Sequence, residues 1–84
     1  MDTVKYTKIQ NVDDFQANYE YYLEGFEGGW RVRIFMLFPP EDRIKVYIDY
    51  NEDYRHSLWC RNITHAKDRA AKLINEARER NLRR

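Results

Sequence analysis

Hydrophobic and polar side chains alternate along the middle of the chain. Over residues 30–38 every second residue, beginning with Trp30, is apolar, and Arg31 and Arg33 occupy two of the positions between them. The same period of two recurs over residues 43–50 and, more briefly, over residues 57–61. Because successive side chains of a β-strand point to opposite faces, each segment is predicted to form a strand with one apolar and one mixed face.

Turn-forming residues separate the three predicted strands. Pro39 and Pro40 cannot donate a hydrogen bond to a sheet, so the first strand must end before them and residues 38–42 form a connection. Asparagine and acidic residues make residues 50–55 the second connection. The three strands are predicted to pair as an antiparallel sheet.

A different pattern follows the strands, in which apolar residues recur at helical spacing. Thr64 is a favourable N-cap for this helix. The tail from Arg78, including residues 79–84, is predicted to fray. The apolar stripe consists of Ala66, Ala70, Leu73, Ile74 and Ala77.

The N-terminal segment fits two periodicities. A helix is predicted from Asn11, a favourable N-cap, to a stop at Gly25. Over residues 19–26, however, tyrosine and leucine also alternate with mainly polar residues, which indicates a strand instead. Residues 1–10 form either an edge strand or an unstructured lead-in, and residues 25–29 form a predicted turn.

These elements predict a single α+β domain over residues 1–84. It has an N-terminal helix, a three-stranded antiparallel sheet and a C-terminal helix packed on one sheet face, in the order αβββα. The C-terminal helix is expected to cover the apolar face, which consists of Trp30, Val32, Ile34, Met36, Ile44, Val46, Ile48 and Leu58.

The net charge of the chain is +1, but it is unevenly distributed. Residues 1–55 carry 7 basic and 11 acidic side chains, whereas residues 56–84 carry 8 basic and 3 acidic ones. The C-terminal third is therefore suited to a polyanion, and the remainder is not, except where the fold gathers its few basic groups. A single cysteine, no signal peptide and no apolar run of membrane-spanning length predict a cytoplasmic protein that does not use a membrane.

No combination of residues in the sequence has the spacing of a catalytic site. His56, Cys60 and His65 match no zinc-binding pattern, and Cys60 has the same parity as the apolar face of its strand. The same residues lack an orienting third group for nucleophilic catalysis. We therefore expect a non-enzymatic binding module with no cofactor, no metal and no small-molecule substrate.

The mixed face of the predicted sheet combines basic and planar side chains. Basic groups neutralise phosphates and rings stack on bases, so this face is a candidate contact for nucleic acid. A three-stranded sheet is also narrow enough to enter the major groove of DNA, where arginine reads guanine. An ordinary solvated face, or one covered by the N-terminal segment, is the alternative. The candidate contact residues are Arg31, Arg33, Phe35, Lys45, Tyr47, Trp59 and Arg61.

The order of elements after Gly29 resembles a known DNA-binding fold. Residues 29–34 begin the first of three predicted strands, and residues 64–67 (Thr-His-Ala-Lys) open an alanine-rich helix. This order resembles the βββα module of phage integrase arm-type domains and plant ethylene-response factors, in which the exposed sheet face contacts DNA. The resemblance implies the same role here for Arg31, Arg33, Lys45, Tyr47, Trp59 and Arg61.

A second resemblance concerns residues 66–71, which are similar to the final helix of double-stranded-RNA-binding domains, a family with αβββα order. Those domains carry a lysine pair directly before this segment and a Gly-Pro-x-His loop between their first two strands. Here Ile63 and Thr64 replace the lysine pair, and Glu41 and Asp42 make the loop acidic. This resemblance therefore implies the αβββα order of elements, whereas duplex RNA binding in the manner of those domains is not expected.

A protein partner is the alternative to DNA. The aromatic side chains of the mixed face and of residues 19–22 are of the type that dominates binding energy at protein interfaces. Acidic residues interleaved with tyrosines also indicate a surface that imitates nucleic acid. Small phage inhibitors of host nucleases or defence complexes, the anti-CRISPR type included, often have this size and architecture. The sequence leaves both kinds of partner open.

Overall fold

The computed structural model describes residues 4–11, 17–39, 41, 43–50 and 54–82. The elements are β1 (Tyr6–Gln10), β2 (Tyr19–Glu27), β3 (Trp30–Leu37), β4 (Ile44–Tyr50), β5 (Tyr54–Cys60) and α1 (Ile63–Leu82). The five strands form one antiparallel sheet in the order β1-β2-β3-β4-β5, and α1 follows the last strand. The predicted α+β class and antiparallel sheet are confirmed, whereas the αβββα arrangement with three strands is wrong.

The N-terminal segment is the largest departure from the predicted fold, since the predicted N-terminal helix is wrong. β1 and β2 pair with each other, and β2 pairs with β3, so this segment widens the sheet. Asn11, predicted to cap a helix, instead joins the two strands. Its backbone N–H donates to the Glu20 carbonyl oxygen at 3.0 Å, and its side-chain amide donates to the Tyr19 carbonyl oxygen at 3.0 Å. Residues 12–16, over which the predicted helix would begin, lie outside the described residues.

The sequence of β2 fits a helical period and a strand period, and pairing decides between them. As a strand, β2 hydrogen-bonds to β1 along one edge and to β3 along the other. Tyr19 and Tyr22 then pack against Phe35 of β3. A helix would leave the edge of β3 unpaired, which is why the strand alternative prevails.

Gly25 does not end a helix but lies buried within β2. A Cβ atom at this position would meet the Val4 side chain and would lie 3.1 Å from the Lys5 carbonyl oxygen. The missing side chain therefore allows the chain before β1 to pass close to β2.

The turn between β2 and β3 is shorter than the predicted turn over residues 25–29. Only Gly28 and Gly29 connect the two strands, with φ angles of 52° and 86° that favour glycine. Two residues in this region of backbone conformation form a tight hairpin whose twist matches that of the strands. The connection after β3 is held to the residue before β2, because the Phe38 N–H donates to the Asn18 carbonyl oxygen at 3.0 Å.

The core lies between α1 and the face of the sheet formed by β3, β4 and β5. This is the apolar face predicted from the alternation, and Val32, Ile34 and Val46 on it are completely buried. Alanines on α1 let the helix approach the sheet closely, and two of them are also completely buried. Met36 and Leu58 are partly buried against this core. The buried residues are Trp30, Val32, Ile34, Ile44, Val46, Ile48, Cys60, Ala66, Ala70, Ile74 and Ala77.

The start of α1 differs from the prediction. Asn62, not Thr64, is the N-cap, since its side-chain oxygen accepts a hydrogen bond from the His65 backbone N–H at 2.8 Å. Asparagine accepts this bond as readily as threonine, so the sequence alone did not choose between the two positions. The helix extends to Leu82, and fraying of the tail from Arg78 stays a prediction.

β5 begins earlier than the predicted strand over residues 57–61. It pairs with β4 along its whole length, from Tyr54 to Cys60. Its first residues carry no apolar alternation, so their place in the sheet depends on pairing with β4. Arg61 follows the strand and is exposed in the bend before α1.

Candidate nucleic-acid interface

The face of the sheet opposite α1 carries most of the predicted contact residues, and we call it the open face. Of the elements that the structure describes, none packs over it: α1 lies on the other face, and the N-terminal strands extend the sheet. The strand register arranges its side chains in three rows that run from β2 to β5. The aromatic row is Tyr22, Phe35, Lys45 and Trp59, the middle row is Glu24, Arg33, Tyr47 and Ser57, and the arginine row is Phe26, Arg31, Asp49 and Arg55.

Four rings form a contiguous cluster at the aromatic row. Phe35 lies at the centre, with its ring centroid 4.8 Å from that of Tyr22 in a stacked arrangement. The centroids of Tyr19 and Tyr47 lie 5.0 Å and 5.5 Å from that of Phe35, and both rings meet it edge-on. These are favourable geometries for aromatic pairs, so the cluster is held in place before any ligand binds.

Two cationic side chains flank the ring of Trp59 at the end of the aromatic row. Lys45 Nζ lies 4.6 Å from the ring centroid, and the guanidinium carbon of Arg43 lies 4.3 Å from it. Lys45 Nζ is also 5.7 Å from the Tyr47 ring centroid. All three distances are within the range of cation–π attraction. Trp59 is nevertheless 42% exposed and Tyr47 37% exposed, so rings and positive charge are both accessible here.

Two arginines surround one carboxylate in the other two rows. Asp49 Oδ2 lies 3.3 Å from Arg33 Nη2 and 3.8 Å from Arg31 Nε. Arg31 Nε is also 3.9 Å from Glu24 Oε2. Of these contacts, the one between Arg33 and Asp49 is short enough for a hydrogen bond. The Nε atoms of both arginines are buried and have no hydrogen-bond partner among the described residues. The side chains of Arg31 and Arg33 are nevertheless 40% and 29% exposed, so other parts of their guanidinium groups are accessible to a ligand.

The three rows of the open face carry a net positive charge. They contain four basic and two acidic side chains, although all six lie within residues 1–55, the part of the sequence that is acidic overall. Folding therefore brings basic groups together that are separated along the chain. The basic members are Arg31, Arg33, Lys45 and Arg55, and the acidic members are Glu24 and Asp49.

The described acidic side chains are divided among several surfaces. Glu24 and Asp49 lie on the open face beside arginines. Glu27 is on the side of the helix, 3.6 Å from Arg78, and Glu41 forms an ion pair in the loop after β3. The predicted acidic positions Asp42, Glu52 and Asp53 lie outside the part of the chain that the structure describes.

The structure brings six of the seven predicted contact residues onto the open face, and Arg61 is the exception. Sequence analysis did not assign Tyr19, Tyr22 and Arg55 to this face. Alternation over residues 19–26 was the signal for a strand, but it competed with the helical period and put the two tyrosines on opposite faces. The register shift between Tyr19 and Tyr21 brings both to the open face. Arg55 had no such signal, because it was assigned to a predicted connection.

The cysteine and histidines considered for metal binding or catalysis are separated in the fold. Cys60 is 3% exposed, and burial raises the pKa of its thiol, an effect that the charge of Arg69 partly opposes. His56 is exposed on β5, and His65 is exposed in the first turn of α1. Within the described ranges, no three His, Cys, Asp or Glu side chains are grouped closely enough to hold a metal ion.

No helix among the residues with a described structure is long and apolar enough to cross a membrane. The resemblances to βββα modules and to double-stranded-RNA-binding domains remain expectations from the sequence. Comparisons with protein-family models, curated proteins and solved structures found no match to this chain.

Proposed function

We propose that this protein is a non-enzymatic module that binds DNA through the open face. The observation that carries the proposal is that rings and basic side chains lie together on a face that no described element covers. Basic groups neutralise phosphates whatever the base sequence, and exposed rings provide stacking surfaces for bases. After Phe26, Trp59 and Tyr47 have the most exposed rings of the three rows. The amino group of Lys45 lies near both of these rings.

The width of the sheet changes the expected geometry of the contact. Adjacent strands are about 4.8 Å apart, so five strands place the outer two roughly 19 Å from each other. The major groove of B-DNA is only about 12 Å wide. The sheet is therefore too wide to enter the groove as a three-stranded sheet would, and we propose that the DNA instead lies across the open face.

A protein partner is the second candidate, and the exposed rings favour it. Phe26 is 64% exposed and Trp59 is 42% exposed, and arginines lie near both. Tryptophan, tyrosine and arginine dominate the binding energy of protein interfaces. A surface that imitates nucleic acid has less support, because the described acidic side chains are divided among several surfaces and several of them pair with arginines.

Fluorescence anisotropy with labelled DNA at a series of salt concentrations tests the proposal. If three to five phosphates are neutralised, the logarithm of the association constant is expected to fall with the logarithm of the salt concentration with a slope of roughly −2 to −4.5. Replacing Arg33→Ala together with Lys45→Ala removes two basic groups of the open face. This change is expected to weaken binding and to make the slope less steep by roughly 1.5 to 2.

A double variant of α1, Lys72→Ala with Arg80→Ala, is the matched control. It removes the same charge from exposed positions of the helix, which lies on the other side of the sheet. Weaker binding in the first variant and unchanged binding in the control would support the proposal. An equal loss in both would show that affinity follows net charge and not the open face. No binding even at low salt would contradict the proposal and leave the protein partner.

A further inference from the structure

A cavity of about 380 Å³ opens at the aromatic end of the open face. Four strands contribute a ring to its wall: Tyr19 from β2, Phe35 from β3, Tyr47 from β4 and Trp59 from β5. Lys45 adds a positive charge to the same wall. This aromatic cavity therefore combines several flat apolar surfaces with one cation.

The wall of the aromatic cavity suits a flat heterocyclic ring. Phe35 is held edge-on by Tyr19 and Tyr47, so these rings need little ordering when a ligand enters. Trp59, on β5, is the most exposed of the four rings that line the cavity. Every nucleobase has a π-face, so rings of this kind bind bases with little dependence on sequence.

A second cavity of about 680 Å³ adjoins the first and shares Tyr47 with it. Arg31, Arg33 and Arg55 line this arginine-lined cavity together with Asp49. The side chains of Arg31 and Arg33 are 40% and 29% exposed, and phosphate oxygens are strong acceptors for guanidinium groups.

The spacing of the two cavities fits a chain that carries both bases and phosphates. Strands rise by about 3.3 Å per residue, so the middle and arginine rows lie roughly 7 Å and 13 Å from the aromatic row. A polynucleotide with a base in the aromatic cavity can therefore place its neighbouring phosphates near Arg33 and Arg31.

We infer that the aromatic cavity receives an unpaired base and that the arginine-lined cavity receives neighbouring phosphates, so that single-stranded DNA is the preferred ligand of the open face. In a duplex, both faces of a base are stacked on its neighbours, and it cannot enter the cavity without leaving the stack. This inference rests on the proposed function and narrows it to one form of DNA.

Anisotropy titrations with three labelled ligands of equal length test the inference. The ligands are a thymidine single strand, the same strand in a duplex, and an abasic phosphodiester strand. The thymidine strand is expected to bind most tightly. The abasic strand keeps the phosphates but has no ring to insert, so its affinity is expected to be roughly 5-fold to 150-fold lower, the range for the loss of one stacked base.

Trp59→Ala is expected to weaken binding of the thymidine strand by a similar factor and to leave binding of the abasic strand unchanged. Trp59→Phe keeps a ring and is expected to restore most of the affinity. Phe38→Ala is the matched control, because Phe38 is 45% exposed but lines neither cavity. Thermal unfolding of each variant shows whether it is folded.

The outcomes separate the inference from the function on which it rests. If the duplex binds as tightly as the single strand or more tightly, the preference for single strands is overturned, and DNA binding by the open face stands. Equal affinity for the thymidine and abasic strands would overturn the base cavity in the same way. If none of the three ligands binds at low salt, the proposed function itself fails.

Discussion

The two faces of the five-stranded sheet are formed by the same strands but meet different surroundings. On β3, Val32 and Ile34 face α1 and are completely buried, while Arg33 and Phe35, which alternate with them, are partly exposed on the open face. The alternation of the strand produces both surfaces at once. The contrast teaches that the helix, by covering one face, leaves the other free to bind a ligand.

The chemistry of the two faces differs accordingly. On the side of the helix, burial raises the pKa of Tyr6 and of Cys60, because a charged phenolate or thiolate would lose its hydration there. On the open face, charged groups remain near water and pair at 3.3–3.9 Å around Asp49 and Glu24. Contacts of this kind contribute little to stability, so the open face can exchange its partners for those of a ligand.

The largest effect is expected from truncating the covered face. Ile74→Ala removes most of a side chain that is 1% exposed, and we expect it to lower the free energy of unfolding by about 2–5 kcal/mol. Ile9→Ala is the matched control, because Ile9 is half-buried and lies on the open side of β1, opposite Tyr22. We expect it to cost about 1 kcal/mol or less. Urea denaturation measures both changes, and equal losses would remove the contrast between the faces.

A somewhat smaller effect is expected where the chain before β1 passes close to β2. Gly25→Ala would place a methyl group against Val4 and close to the Lys5 carbonyl oxygen. We expect this overpacking to lower the free energy of unfolding by about 1–3 kcal/mol without changing DNA affinity in the folded protein.

The double variant Gly25→Ala with Val4→Ala tests the cause of that loss. Removing the branched side chain of Val4 makes room for the new methyl group, so the double variant is expected to lose less stability than the sum of the single changes. Simple additivity in urea denaturation would show that the contact with Val4 is not the reason.

On the open face, changing the central carboxylate is expected to affect binding more than folding. Asp49→Asn removes a negative charge beside Arg31 and Arg33, so both arginines become more available to phosphates. A unit charge about 4 Å away in water is worth roughly 1 kcal/mol, which corresponds to about 5-fold tighter DNA binding. Glu27→Gln removes the same charge beside Arg78, on the side of the helix, and is expected to leave affinity unchanged. Weaker binding of Asp49→Asn in anisotropy would show that this carboxylate positions the arginines for the ligand.

The smallest effect is a pH dependence on the covered side. Burial, assisted by the charge of Glu27, raises the pKa of Tyr6 from 10.0 to about 12. The unfolded chain therefore releases this proton before the folded protein does, and stability is expected to fall as the pH rises from 10 to 12. Below pH 10 the contribution of Tyr6 is complete. Urea denaturation at a series of pH values should show a shallower decline in Tyr6→Phe, and an identical decline would contradict the assignment.

Sequence reasoning succeeded where a single period dominated the pattern. β3 and β4 alternate clearly between apolar and polar residues, and α1 carries an apolar stripe at helical spacing, so these elements and their buried sides were predictable. It failed over β2, where tyrosines satisfied both periods and where Gly25 and Asn11 resembled the ends of a helix. Residues that fit both a helix and a strand adopt one of them only through contacts with segments that are distant in the sequence.

The sequence by itself determined which residues of each central strand share a face, and hence that a basic and aromatic surface lies opposite an apolar one. This information is local, because alternation depends only on the geometry of one strand. Only the tertiary structure decided that the N-terminal segment joins the sheet, that Asp49 lies between Arg31 and Arg33, and that rings from four strands line one cavity. These features depend on strand order and register, which are set by pairing between segments that are distant along the chain.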